Sequence, residues 1–370
     1  MTLEEIRSEI DEIDAQLLPL FLRRMKCAEK VAEIKKGTGR AVFDPVREKK
    51  ILDDVAAKAG SYGGEARIVY STMMTMSRAA QHRILGAGKE LRDAVERASS
   101  VLPSPKAVAC LGQSGSFSHE AMLRLYPNAK PLLLDDFSAV FEAVADGSAS
   151  LGIVPVENSS AGSVGEVYDL ILKYRFSILG ALSLPIRHCL ASAETDIHKI
   201  HTVYSHPQAL RQCTGFLRAH GWETKPCSST AAAAEEAEKP GVAAVCSLCA
   251  AKERGLNILA EDIQDVSGNR TRFLVIGREI VIPADADKIS LCFSLPHTIG
   301  SLSGVLTRFA AAGLNLTKIE SRPIPGKNFE YDFYLDFTGS AREERTLGLL
   351  CALHDELPRF TFLGNYHEIE

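Results

Sequence analysis

The chain of 370 residues has no apolar run of about 18 residues, so no membrane-crossing helix is expected. It has no excess of positive charge. The formal net charge is −5, which argues against a nucleic acid or an anionic membrane as partner and means that any basic site must be local. The amphipathic, acidic start, MTLEEIRSEIDEIDAQLL, lacks the basic stretch and apolar core of a secretory signal. Nine cysteines without such a signal read as free thiols in a reducing cytoplasm. The one close pair, Cys246 and Cys249, lacks the second ligand pair that zinc wants and sits among Ala and Val, so no metal is expected. Low-complexity segments, internal repeats, a nucleophile elbow and a Ser-His-Asp order are also missing.

Three regimes of pattern remain. Up to about residue 95 the chain is helical: Ile6, Ile10, Ile13, Leu17, Leu20, Val31 and Ile34 recur at spacings of three or four or their multiples. Two more helical runs, 45–59 and 66–85, follow, and 86–105 ends in Pro and Ser and reads as a linker. From 106 to about 283 short apolar runs alternate with Ala-rich helical stretches, which predicts an α/β region with mainly parallel strands. The last segment, from about 288, reads βαββαβ, the ferredoxin-like order.

In the first helix Arg24 and Lys35 lie eleven residues apart and project within about 20° of each other. Arg7 projects roughly 80–100° away and lies about 42 Å from Lys35 along a straight helix. One helix cannot bring all three cations to one small ligand, whereas two antiparallel copies can, with Arg7 coming from the partner. Pro19 should kink this helix. Asp44 before Pro45 is a good N-cap, Arg47 and Glu48 fall in the next turn, and Ser77 and Gln81 are i, i+4 neighbours on the third helix.

The set Arg7, Arg24, Lys35, Asp44, Arg47, Glu48, Ser77 and Gln81 resembles the all-helical chorismate mutases over about residues 1–90. The resemblance implies a unimolecular rearrangement of a dianion, which needs a held conformer and a stabilised ether oxygen but neither nucleophile nor proton transfer. It implies that Arg24, Arg47 and the partner copy's Arg7 hold carboxylates. Lys35 and Gln81 would then face the ether oxygen, Asp44 and Glu48 would take the ring hydroxyl, and Ser77 would support a carboxylate.

Four stretches of the α/β region carry polar side chains where strands end: LGQSGSFSHEA with Ser116 and Ser118, ENSSAG with Asn158, Ser159 and Ser160, YSHPQALRQC with Ser205 and Gln212, and GNRTRFLVIG with Thr271, Arg272 and Phe273. The first lacks a P-loop lysine and the GxGxxG spacing, so a nucleotide is not expected. Singly each stretch reads as capping and turn chemistry, and Arg270 as a solvated side chain. Together they resemble the prephenate dehydratases, over about 106–283, a region of two α/β lobes like a periplasmic binding protein. The resemblance implies loss of water and carbon dioxide from prephenate. Thr271 would donate or relay a proton, and Asn158 and Gln212 would position the ring hydroxyl and leaving group. Arg272 would hold a carboxylate or organise the site, and Phe273 would pack behind Thr271.

In the last segment Glu320, Ser321, Arg322 and Pro323 end a strand, and Gly300, Ser301 and Leu302 open a helix. They resemble the ACT domain of the dehydratases, which implies phenylalanine as effector, although the Pro before the glycine motif and its Ala are replaced. The expected organisation is a helical mutase domain at 1–90, a linker at 91–105, a dehydratase domain at 106–283 and an ACT domain at 288–370. The three resemblances in this order match the bifunctional chorismate mutase–prephenate dehydratases of phenylalanine biosynthesis. They imply a cytoplasmic homodimer or higher homo-oligomer with no cofactor. A ligand sensor without chemistry is one rival reading, which the matched charge set of the helical region opposes; a monofunctional mutase with a degenerate second domain is the other, which the intact Thr271-Arg272-Phe273 opposes.

Overall fold

The computed structural model describes residues 1–324 and 326–370. The chain opens with helices α1 (Leu3–Lys35), α2 (Pro45–Lys58), α3 (Gly63–Leu85) and α4 (Lys89–Arg97). A capping box starts α1: Thr2 Oγ1 accepts from Glu5 N at 3.2 Å, and the Glu5 carboxylate accepts from Thr2 N at 2.6 Å. The helix runs unbroken through the exposed Pro19, because one lost hydrogen bond is a small fraction of those in 33 residues. Asp44 caps α2 through Arg47 N at 3.0 Å, with Pro45 at the first helical position.

The α/β segment follows as β1 (Ala107–Leu111), α5 (Phe117–Leu125), β2 (Lys130–Leu134), α6 (Phe137–Ala145), β3 (Leu151–Asn158), β4 (Gly162–Ser163), α7 (Gly165–Tyr174) and β5 (Ser177–Pro185). It continues as β6 (Cys189–Ser192), β7 (Thr202–Ser205), α8 (Pro207–Gln212), α9 (Thr214–His220), β8 (Glu223–Pro226), α10 (Thr230–Glu236), β9 (Val242–Cys246), α11 (Leu248–Glu253), β10 (Asn257–Ala260) and β11 (Arg270–Gly277). The C-terminal segment is β12 (Lys288–Ser294), α12 (Ser301–Ala311), β13 (Leu316–Pro323), β14 (Tyr331–Thr338), α13 (Glu344–Glu356), β15 (Arg359–Tyr366) and β16 (Glu368–Ile369).

The chain divides into two compact units. One is Met1–Arg97 with Ile289–Phe362, the other Ala98–Lys288 with Leu363–Glu370. In the first, α3 packs on α1 and α2 and also on α12 and α13. The C-terminal sheet has the order β13-β14-β12-β15, the ferredoxin-like arrangement anticipated from the βαββαβ pattern. The stretch expected as a linker, 91–105, begins as the end of α4. Leu91 and Val95 are one turn apart and buried, and α4 packs on α13. The N-terminal half of α1 is exposed: Ile6, Ile10, Ile13, Leu17 and Leu20 keep 40–60% of their surface in solvent.

The second unit holds two sheets. The larger has the order β16-β5-β11-β3-β1-β2 with β4 on β3, and the smaller β10-β6-β9-β7-β8. Both are mixed, not mainly parallel. β2-β1-β3 and β8-β7-β9 are parallel, but β11 runs antiparallel between β3 and β5, and β6 runs antiparallel between β9 and β10. The reason is that the chain passes between the sheets twice, from β5 to β6 and from β10 back to β11, so each sheet receives an antiparallel pair. Residues at the very end, expected within the last domain, return to this unit, where β16 pairs with β5. The larger sheet buries Val108, Met122, Ile153, Leu182, Phe273 and Val275 in one core, and the smaller sheet builds separate Ala-, Cys- and Val-rich cores.

All nine cysteines are free, as anticipated. Among the described residues no His, Cys, Asp and Glu group could hold a metal ion, and no helix is long and apolar enough to cross a membrane.

The loop after β1 touches the second sheet through Gly115, whose φ is +81°. A Cβ there would lie 2.4 Å from Ala250 Cα, and Ser247 Oγ donates to Gly115 O at 2.7 Å. Gly115→Ala therefore combines backbone strain with a clash against backbone and should cost about 2–4 kcal/mol. Denaturant unfolding checks this, and an unchanged midpoint would contradict it. His119 and His188 are buried in the same unit, and burial lowers both imidazoles below the usual 6.5. The unfolded chain then takes up protons first as pH falls. Stability from these groups is complete above about 6.5 and declines as pH drops toward their lowered folded values. Urea midpoints across pH 5–8 should show that decline, and His188→Gln should make it shallower.

Candidate functional sites

The first unit contains a cavity of about 450 Å³ between α1, α2 and α3. Arg24, Lys35, Asp44, Arg47, Glu48, Ser77 and Gln81 all line it, with Ala28, Val31 and Met74 among the apolar walls. Arg7 is exposed and is not among its lining residues, as the helix geometry requires. Arg24 donates to Ser77 Oγ at 2.9 Å and to Met73 O at 3.3 Å, which fixes the guanidinium along the wall. Lys35 Nζ donates to Ala41 O at 2.7 Å and Val42 O at 3.0 Å, so two of its three N–H groups are used and one remains. Gln81 is buried, and its Nε2 donates to Ser77 O at 3.4 Å, while Oε1 has no protein partner. Asp44 is engaged in its capping bond, and Glu48 is paired with Arg78, a side chain that pattern reading did not single out.

In the second unit the antiparallel pairing of β3 with β11 sets Asn158 opposite Thr271. Asn158 Nδ2 donates to Thr271 Oγ1 at 2.9 Å and to Asn269 Oδ1 at 3.0 Å. Its Oδ1 accepts from Ser160 N and Ala161 N, both at 3.0 Å, which fixes which end of the amide faces Thr271. Ser159 and Ser160 hydroxyls also donate to Asn269 Oδ1, each at 3.2 Å. Asn269 is thus the hub of the cluster. It stands in the same GNRTRF stretch as Thr271, but pattern reading gave it no role. Phe273 lies in the core beneath.

Gln212 is at the other crossing between the sheets. Its Oε1 accepts from His188 Nε2 at 2.9 Å, and His188 sits edge-on to Phe117 with ring centroids 5.8 Å apart. Nothing in the sequence marked His188, because its partners lie 24 and 71 residues away (212−188 and 188−117). Ser116 caps α5 through His119 N at 3.2 Å, and Ser118 is buried in the first turn.

Three expectations change. Ser205, expected to bind substrate, is fully buried and donates to Val245 O at 2.6 Å, so it ties β7 to β9. Arg270, expected in solvent, donates to Ser183 Oγ at 2.8 Å and to Ser183 O at 2.5 Å. Arg272, expected to hold a substrate carboxylate or organise the site, donates to Tyr366 Oη at 2.7 Å, and its Nε lies 2.9 Å from Glu368 Oε1. A carboxylate close to it thus comes from the C-terminal strand.

In the C-terminal segment Gly300 adopts φ +81° before α12, and Ser301 Oγ donates to Pro296 O at 2.7 Å. Ser301 and Leu302 line a cavity of about 800 Å³ with Phe329, Tyr331 and Phe333. Glu320, Ser321, Arg322 and Pro323 lie on the edge strand β13 and are not among that lining.

Residues 6–82 match the chorismate mutase type II family, and residues 108–281 match the prephenate dehydratase family. A bifunctional chorismate mutase/prephenate dehydratase of Aquifex aeolicus (strain VF5) is 34% identical over 369 residues, covering 98% of this chain and 97% of that protein. A solved prephenate dehydratase from Arthrobacter aurescens, in complex with L-Phe, is similar with a TM-score of 0.64 at 32% identity, over 70% of this chain and 89% of that one. A structure described as GqqA, a novel type of quorum quenching acylase, is similar with a TM-score of 0.65 at 28% identity, over 70% of this chain and 97% of that one. With both domains matched in order and a relative aligned over almost its whole length, the chain belongs to the bifunctional chorismate mutase/prephenate dehydratases.

Proposed function

We propose that the chain rearranges chorismate to prephenate in the helical cavity and converts prephenate to phenylpyruvate at the Thr271 cluster, under feedback by phenylalanine. The observation that carries the first half is the single cavity lined by Arg24, Lys35, Asp44, Arg47, Glu48, Ser77 and Gln81. Arg24 and Arg47 clamp the substrate carboxylates, and the free N–H groups of Lys35 and Gln81 meet the ether oxygen as it gains charge. Asp44 and Glu48 accept from the ring hydroxyl. The clamp lacks Arg7, and the exposed apolar stripe of α1 is the surface on which a second copy supplies it. That makes the active form a homodimer or a larger homo-oligomer.

For the second reaction, hydroxide is a poor leaving group and needs a proton, while loss of carbon dioxide and aromatisation supply the driving force. Thr271 Oγ1 accepts from Asn158, so its own proton is left to point at the substrate. The amide polarises the hydroxyl without taking that proton. An acylase needs the opposite, a hydroxyl that donates to a base. Asn158 and Gln212 position the ring hydroxyl and the leaving group. Arg272, locked by Tyr366 and Glu368, braces β11 beneath Thr271.

We assign 288–370 as an ACT-type effector module. Phenylalanine fits the aromatic-walled cavity at Ser301 and Leu302, and the Glu320–Pro323 edge of β13 is the face a second copy can cover. The domain limits that fit this assignment are 1–97 for the mutase and 98–288 for the dehydratase, with the last residues strengthening the latter.

Thr271→Ala removes the proton donor and leaves the helical cavity untouched. Prephenate turnover should fall by about 10²–10⁴-fold while chorismate turnover stays within twofold. Separate assays with prephenate and chorismate check this, and an equal loss of both would contradict the assignment.

A further inference from the structure

Arg78 lies one residue beyond Ser77 on α3 and lines two cavities at once. One is the mutase cavity; the other, of about 660 Å³, is lined by Glu48, Thr75, His82, Gly300, Ser301, Arg308 and Glu356. Its Nη1 is paired with the Glu48 carboxylate, and its Nη2 donates to Thr75 Oγ1 at 3.1 Å. The guanidinium stands 5.1 Å from the centroid of the Phe43 ring. Its Nε lies 3.9 Å from Glu356 Oε1, at the end of α13. Glu356 is also 2.8 Å from His82 Nε2 and 2.5 Å from Arg308 Nη1. Arg78, Glu48, Glu356 and Arg308 all keep less than a fifth of their side-chain surface in solvent.

The charges in this row alternate: Glu48 carboxylate, Arg78 guanidinium, Glu356 carboxylate, Arg308 guanidinium. The order matters because the mutase cavity also holds Arg24, Lys35 and Arg47. A loose Glu48 would swing onto one of those cations and block a substrate carboxylate. Arg78 draws it to the opposite wall, where it can accept from a hydroxyl. Burial alone would raise Glu356 toward its neutral form, but His82, Arg308 and Arg78 outweigh it and keep its carboxyl below the usual range. The anchor of Arg78 is therefore charged, and it comes from the C-terminal segment.

We propose that Arg78 is a positioning residue of the mutase site, holding Glu48 in place while Glu356 of α13 holds Arg78. The geometry of the mutase site then depends on the effector segment, through two ion pairs. This rests on the reading of Glu48 as the ligand of the ring hydroxyl.

The test is a double-mutant cycle in the full chain, with chorismate turnover as readout and prephenate turnover as internal control. Arg78→Met should lower kcat/KM for chorismate about tenfold and leave prephenate turnover within twofold. Arg78→Lys should recover most of the loss. In a Glu48→Gln background Arg78→Met should add less than twofold, since the carboxylate that it positions is gone. Glu356→Gln should show the same non-additivity with Glu48→Gln, and it supplies the cycle if Arg78→Met does not fold. An equal loss in both backgrounds, or wild-type turnover for both Arg78→Met and Glu356→Gln, would overturn the proposal. Wild-type turnover by Glu48→Gln alone would instead overturn the reading of Glu48, and the proposal with it.

Discussion

The length of α1 constrains the rest of the first unit. Thirty-three residues at about 1.5 Å each span far more than a small dianion, so the cations of this helix cannot all meet one ligand in one chain. The described cavity follows that limit: the C-terminal half of α1 contributes Arg24 and Lys35, and the N-terminal half, with Arg7, contributes nothing. The same half carries the exposed stripe of Ile6, Ile10, Ile13, Leu17 and Leu20. An unfilled charge position and an uncovered apolar face lie on one stretch of helix, and the proposed antiparallel second copy would meet both.

The second unit meets a different demand. On the proposed reading it must make a weak acid, the Thr271 hydroxyl, donate. It does so with a network around the hydroxyl: Asn158 is held by two backbone N–H groups, Asn269 collects Asn158, Ser159 and Ser160, and Asn158 Nδ2 also reaches Thr271 Oγ1 and Arg270 O. Such a network fixes hydrogen directions that an isolated threonine would leave free. The antiparallel insertion of β11 between β3 and β5 makes the arrangement possible, because it sets Asn158 and Thr271 side by side.

What was legible in the sequence is what local spacing encodes. The helical periodicity, the cap at Asp44, the i, i+4 pair Ser77–Gln81 and the βαββαβ order are short-range patterns, and the structure has them. The stretch around Thr271 was conspicuous for a hydroxyl between two guanidiniums. What stayed hidden is long-range. Arg78 reaches Glu48 across 30 residues, and Arg272 reaches Tyr366 across 94. Ser205 sits in a stretch rich in site-like residues, yet the parallel pairing of β7 turns its hydroxyl onto a neighbouring strand. Arg270 and Arg272 both read as free for solvent or substrate, because their partners arrive only when β5 pairs with β11 and the C-terminal residues Tyr366 and Glu368 return to this sheet. Helix α4 was masked by a flank rich in Gly, Pro and Ser, although Leu91 and Val95 carried its buried face.

The sharing of the mutase site between copies is most directly tested by mixing two inactive chains. Arg7→Ala and Arg24→Ala should each abolish chorismate turnover alone. Unfolded together in equal amounts and refolded, random pairing makes about half of the dimers mixed, each with one intact site and one doubly damaged. The account predicts recovery of about one quarter of wild-type chorismate turnover, with prephenate turnover unchanged throughout. No recovery, from a mixture whose refolded dimers are shown to contain both chains, would mean that each site is built within a single chain.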